Sequence, residues 1–169
     1  MAEPATPGFV GVNHVGIQAD DPAALAEFYV DVLGMQRVGG STADSPTGAS
    51  AFLSSRPDAE SHEIVFFANP ALRHTAFRVA TLADLRAWYQ RSVDRGIAIR
   101  AAVNHGVSLA FYFHDPAGNM IEIYWPTGLR YGQPYAHPID LSQPEHVLLQ
   151  DVADLAARVG LPSPVPAGR

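Results

Sequence analysis

A shift of 60 positions lays one half of this chain on the other. His14 precedes Leu25, Phe28 and Tyr29 by 11, 14 and 15 positions, and His74 precedes Leu85, Trp88 and Tyr89 by the same intervals. Each histidine sits on an alternating, strand-like run, and each apolar triplet follows at helical spacing. The first half reads as a strand over 9–18, a helix over 23–33 and strands over 35–40, 49–55 and 63–68. The second reads as a strand over 73–80, a helix over 82–95 and strands over 97–101, 107–113 and 120–125. Asp20-Asp21-Pro22 starts the first helix with an Asp cap and Pro in the first turn, and Gly34 stops it. Asp115-Pro116-Ala117-Gly118-Asn119 is turn chemistry between the last two strands. A register kept over a strand and a helix is an internal duplication of a β-α-β-β-β unit.

The duplication fixes the fold class. A four-stranded sheet buries one face under its helix and leaves the other free. Two such sheets side by side enclose a groove. The expectation is an α+β fold of two tandem βαβββ modules, 9–69 and 72–126, forming a curved mixed sheet around a metal-binding groove. A C-terminal extension with a short helix, 127–169, completes a single domain over 1–169. Alternation assigns the faces. Val15, Ile17, Phe77, Val79, Leu109, Phe111, Phe113, Ile121 and Ile123 go to the helix side. His14, His74, Tyr112 and Glu122 go to the groove.

Composition narrows what the groove can do. The chain has 169 residues, 47% of them apolar and 17% charged, which is the profile of a globular protein. It has no Cys, which removes disulfides, thiolate metal sites and cysteine nucleophiles. All 11 basic residues are Arg, so no lysine can form a Schiff base. A net charge of −6 without a basic cluster argues against nucleic acid and anionic membranes. No apolar run is long enough for a membrane helix, and 1–8 is a Pro-rich tail without the marks of a secretory leader. The expected location is cytoplasmic.

Two imidazoles and one carboxylate in a groove form the 2-His-1-carboxylate set, which takes one face of an octahedral ion and leaves the others open. A mid-strand carboxylate such as Glu122 is costly to bury unless a cation or strong donors meet it. Nitrogen and oxygen ligands without sulfur suit Fe(II) or Mn(II), and also Zn(II) or Ni(II). Three protein ligands leave about three positions of an octahedral ion open to substrate.

The motifs NHVGI, RHTAFRV and HGVSLAFYFHDPAGNMIEIYWP resemble the vicinal oxygen chelate superfamily. Over roughly 10–126 they look most like its type I extradiol catechol dioxygenases. That resemblance implies that His14, His74 and Glu122 hold Fe(II), with Mn(II) the alternative. It implies that His62, in SHEIVFF, is an acid/base beside the dioxygen position. Tyr112, ten positions before Glu122, matches a tyrosine that hydrogen-bonds the bound catecholate, and His105 resembles a pocket histidine. His105 departs from longer members, which place it about two residues further upstream of the tyrosine. The implied partners are a small aromatic diol and dioxygen.

Two other readings stay open. Position 62 lies one repeat before Glu122, so His62 or Glu63 could be a fourth ligand of a glyoxalase-like lyase or isomerase. A non-enzymatic carrier of aromatic ligands is the other. His114, His137 and His146 read as surface residues, with His137 able to fold over the groove mouth. The segment 128–138 reads as an irregular wrap forming a pocket wall. Ser142 and Glu145 read as a capping box for a helix striped by Leu148, Val152, Leu155 and Val159, placed over a sheet edge or a subunit contact. Exposed sheet edges point to a homodimer or higher homo-oligomer.

Overall fold

The two repeats join into one sheet. In the computed structural model, which describes residues 6–162, the first repeat is β1 (Gly11–Gln18), α1 (Pro22–Leu33), β2 (Gln36–Ser41), β3 (Ser50–Ser54) and β4 (Ile64–Phe67). After a 3-10 turn at Pro70–Leu72, the second is β5 (His74–Arg78), α2 (Leu82–Asp94), β6 (Ile99–Asn104), β7 (Ser108–His114) and β8 (Met120–Pro126). A two-residue strand, β9 (His137–Pro138), and a helix, α3 (Glu145–Arg158), follow. The first five residues of the expected tail and the last seven of the 127–169 extension lie outside the described residues.

Nine strands form an open, curved sheet in the order β2-β3-β4-β1-β5-β8-β7-β6-β9. The repeats meet where β1 pairs antiparallel with β5. Within each repeat the first strand runs parallel to the last, β1 with β4 and β5 with β8. The expected α+β architecture of paired βαβββ units is the observed one.

Local chemistry sets the element ends. Asp21 Oδ1 accepts from the amides of Ala23 and Ala24 at 3.1 and 3.0 Å, and Gly34 closes α1 at φ 67°. Thr81 caps α2 through the Asp84 amide. Asp115 Oδ1 accepts from the amides of Ala117 and Asn119, which closes the β7–β8 turn. The main core lies under α2 and α3, where Val79, Leu82, Leu85, Leu109, Phe111, Ile123, Leu141, Leu148 and Val152 pack together. A smaller one lies under α1, around Ala26, Met35, Leu53 and Phe66.

Four expectations need correction. The stripe on α1 is rotated: Ala26 is fully buried, whereas Phe28, Val32 and Leu33 are 55, 56 and 58% exposed. The small Ala26 lets α1 sit close on β3 and β4, which turns the larger side chains outward. With α1 displaced from β1, Ile17 is exposed and Val15 only half-buried. At the third helix Ser142 does not cap. Its amide and hydroxyl both bond Asp140 Oδ1, Pro144 takes the cap position, and the helix begins at Glu145. Val159 is the C-cap and is exposed, outside the buried stripe. The helix covers the α2 side of the main core.

Candidate metal centre and substrate cavity

The β1–β5 pairing places the two histidines beside each other. His14 lies across from Ala76, and His74 lies across from Gly16. These are pseudo-symmetric positions, since a shift of 60 turns His14 into His74 and Gly16 into Ala76. Glu122 lies across from Ala76 on the other side, on β8. The side chains converge: His14 Nε2 is 3.1 Å from His74 Nε2 and 3.1 Å from Glu122 Oε2, and His74 Nε2 is 3.2 Å from that oxygen. All three donor atoms lie within 4.8 Å of one another.

Such a cluster needs a positive charge. His74 Nδ1 donates to the Leu72 carbonyl at 2.7 Å, which leaves its Nε2 lone pair facing the carboxylate and the other imidazole. Acceptors buried around one point are stable only around a cation or a shared proton. Burial opposes charge on His74, but the hydrogen bond and charge of Glu122 outweigh it and raise its pKa. Burial likewise opposes charge on Glu122, yet His14 and His74 hold that carboxyl well below the usual range. Two nitrogens and one oxygen converging on one point fit a divalent metal.

The strand register bears on a fourth ligand. On the β1 side, Val15 and Gly16 pair with Ile64 and Val65; on the β5 side, Thr75 and Ala76 pair with Ile121 and Glu122. The symmetry mate of Glu122 is therefore Val65, three residues past His62. A valine cannot coordinate. Glu63 is turned away: its carboxylate takes hydrogen bonds from the Ser55 amide, the Ser55 hydroxyl and the Arg56 guanidinium.

His62 stands beside the cluster, outside the three-donor group, with its ring centroid 4.4 Å from that of His14. Its Nδ1 is 3.1 Å from Ser61 Oγ. Burial, then the neighbouring His14, keeps its pKa well below the ordinary value, so it is neutral near pH 7. Across the groove, His105 Nδ1 donates to the Tyr135 carbonyl at 2.6 Å. Its Nε2 then accepts from the Tyr112 hydroxyl at 2.9 Å. Burial and the Glu122 charge push the Tyr112 pKa well up, so the phenol keeps its proton. The resemblance gives Tyr112 a hydrogen bond to the substrate. Here its hydrogen is directed to His105, and a lone pair is left for an incoming hydroxyl.

These residues line one cavity of about 450 Å³ together with Phe52, Val65, Phe67, Leu72, Val103 and Met120. The 128–138 wrap supplies Gln133, Pro134, Tyr135 and Ala136 as one wall. Gln133 Nε2 fastens that wall through the His105 carbonyl at 2.7 Å. A second cavity, of about 440 Å³, shares His14, His62, Val107, Ser108 and Gln133 with the first and reaches Glu60, Tyr124 and Arg130. His114, His137 and His146 are exposed and line neither.

Sequence reasoning missed the carbonyls of Leu72 and Tyr135, because backbone acceptors leave no trace in residue identity. It also missed Tyr124, buried and with its ring centroid 5.2 Å from that of His14. Its alternation with Glu122 was the available signal.

The sequence profile of the Glyoxalase/Bleomycin resistance protein/Dioxygenase superfamily matches residues 11–123. The chain belongs to that superfamily. Among curated superfamily members, biphenyl-2,3-diol 1,2-dioxygenase 3 of Rhodococcus globerulus is 35% identical over 122 residues, which cover 65% of this chain and 60% of that enzyme. The 1,2-dihydroxynaphthalene dioxygenase of Pseudomonas putida is 29% identical over 136 residues, covering 76% of this chain and 42% of that enzyme. This superfamily member thus matches less than two thirds of either relative's length. Among solved structures, a catechol 2,3-dioxygenase shares its fold at a TM-score of 0.60 and 22% identity, over 82% of this chain and 50% of that one. An Mn(II)-bound glyoxalase from Novosphingobium aromaticivorans does so at 0.57 and 20%, over 76% and 43%. Among the described residues, no helix is long and apolar enough to cross a membrane.

Proposed function

We propose that this chain is a metal-dependent extradiol dioxygenase, which opens a catechol-type ring beside the diol and places both atoms of dioxygen in the product. His14, His74 and Glu122 are the ligands, and Fe(II) is the metal. The observation that carries this reading is Val65 in the place symmetric to Glu122. A redox-neutral lyase of the same fold would be served by a fourth ligand there. With three, the opposite face of the ion stays open for two diol oxygens and dioxygen. The ring-diol dioxygenases among the relatives support the same choice.

When bound, the ion supplies Lewis acidity toward the two hydroxyl oxygens and a route for electrons from the ring to dioxygen. The chain's own residues handle protons and position. Neutral His62, its ring beside that of His14, is placed to take a proton from the substrate side and return it as the ring opens. The Tyr112 oxygen accepts a hydrogen bond from the hydroxyl not yet ionised, while His105 and the Tyr135 carbonyl hold the phenol in place. Phe52, Phe67, Leu72 and Val103 form an apolar wall that keeps water from the ring.

The test is anaerobic loading with Fe(II), then exposure to air with catechol or 2,3-dihydroxybiphenyl. A yellow ring-opened product is expected. Tight metal binding without colour from any catechol would overturn the reaction class.

A further inference from the structure

Arg100 gives the cavity a charge preference. Strand β6 carries a bulge: Ile99 pairs with Phe113 and Ala101 with Tyr112, so Arg100 is an extra residue with no partner on β7. A bulge re-aims the side chain it inserts. Arg100 is exposed and also lines the cavity, so it sits where the cavity meets solvent. It is the one Arg among the described lining residues, and Glu122 is the one acid there. The lining of the same cavity includes the apolar Pro46, Leu72, Val103, Pro134 and Ala136.

Other arginines of the chain are tied to acids, Arg56 to Glu63 and Arg78 to Glu60. Arg100 has no hydrogen bond or ion pair to any described residue. Its five N–H donors remain available to a ligand in the fork geometry that suits a carboxylate. The first repeat makes the contrast plain. Its β2 has a matching bulge, and the inserted residue there is Val38, which lines the second cavity.

Position sets the length of the ligand. Glu122 pairs with Tyr112, and Tyr112 pairs with Ala101 beside Arg100. Two strand spacings, roughly 10 Å, thus separate the Arg100 backbone from that of the proposed ligand Glu122. A diol held at the metal would point a short ring substituent toward the guanidinium. We infer that Arg100 selects a catechol bearing a carboxylate on a short arm, over the neutral aryl diols named for the curated relatives. This rests on the diol binding at the three-ligand centre.

The metal-loaded protein, kept free of dioxygen, is titrated by calorimetry with a 2,3-dihydroxyphenyl ring carrying a propanoate arm, and with its methyl ester. The acid is expected to bind about fivefold to tenfold more tightly, with the gap narrowing as salt is raised. Arg100→Gln should remove that gap by weakening the acid alone, while Arg100→Lys should keep part of it. Equal affinities in the native protein, or an equal loss of both ligands in Arg100→Gln, would overturn the role of Arg100 and leave the centre standing. If neither diol binds in a metal-dependent way, the three-ligand reading fails and this inference falls with it.

Discussion

Gly16 lies directly across the β1–β5 pairing from His74, and a Cβ at Gly16 would come 2.7 Å from His74 Nδ1. The same nitrogen donates to the Leu72 carbonyl. Any side chain at position 16 must therefore displace the ring from the hydrogen bond that aims its Nε2 at Glu122. Such outer contacts are commonly worth tenfold or more in metal affinity. Gly16→Ala should weaken Fe(II) or Mn(II) binding by at least about tenfold and shrink the metal-induced rise in Tm. Gly132→Ala, where nothing lies within 4 Å of the added carbon, should leave both unchanged. Equal metal affinity in the two variants would show that Gly16 does not position His74.

Val65 can be made into the ligand that the symmetry lacks. It is 1% exposed and lines the same cavity as Glu122. A glutamate there is costly to bury without a metal and favourable with one. Val65→Glu should lower the Tm of the metal-free protein, recover it on adding Zn(II) or Mn(II), and reduce ring cleavage at least a hundredfold by closing an open position. Full ring cleavage in a metal-loaded Val65→Glu protein would remove the three-ligand argument.

The repeat made the centre legible, since it paired His14 with His74 and strand alternation added Glu122. The same arithmetic misled at His62. A period of 60 set His62 against Glu122, whereas the backbone sets Val65 there, because the loop before β4 is three residues out of step with the loop before β8. Periodicity also could not orient α1. Both Ala26 and Phe28 fit an apolar stripe, and close packing on β3 and β4 favoured the smaller one. Hydrogen bonds to the Leu72 and Tyr135 carbonyls depend on loop geometry that no side-chain pattern encodes.

Among the described residues, His62 interacts with Ser61 and makes ring contacts with His14 and Phe52, none of which holds the fold together. His62→Ala should therefore leave metal content near one ion per chain while lowering kcat by about a hundredfold or more, the scale of a lost general acid/base. Native turnover in that variant would take His62 out of the proton transfer.

Glu63 provides a pH signature away from the centre. Burial works against its charge, but hydrogen bonds from Ser55 and Arg56 more than offset this and lower its pKa from 4.5 to about 2. A carboxyl depressed in the folded state contributes stability above its unfolded pKa, and that contribution is lost as pH falls through the folded value. The native protein should thus melt a few degrees above Glu63→Gln at pH 6, the scale of a partly exposed charge cluster in a chain of this size. The gap should narrow between about pH 4.5 and pH 2 and be absent below that. Melting curves across this window decide the matter: a gap that stays constant to pH 2, or widens on acidification, would mean that Glu63 is not held ionised by Ser55 and Arg56.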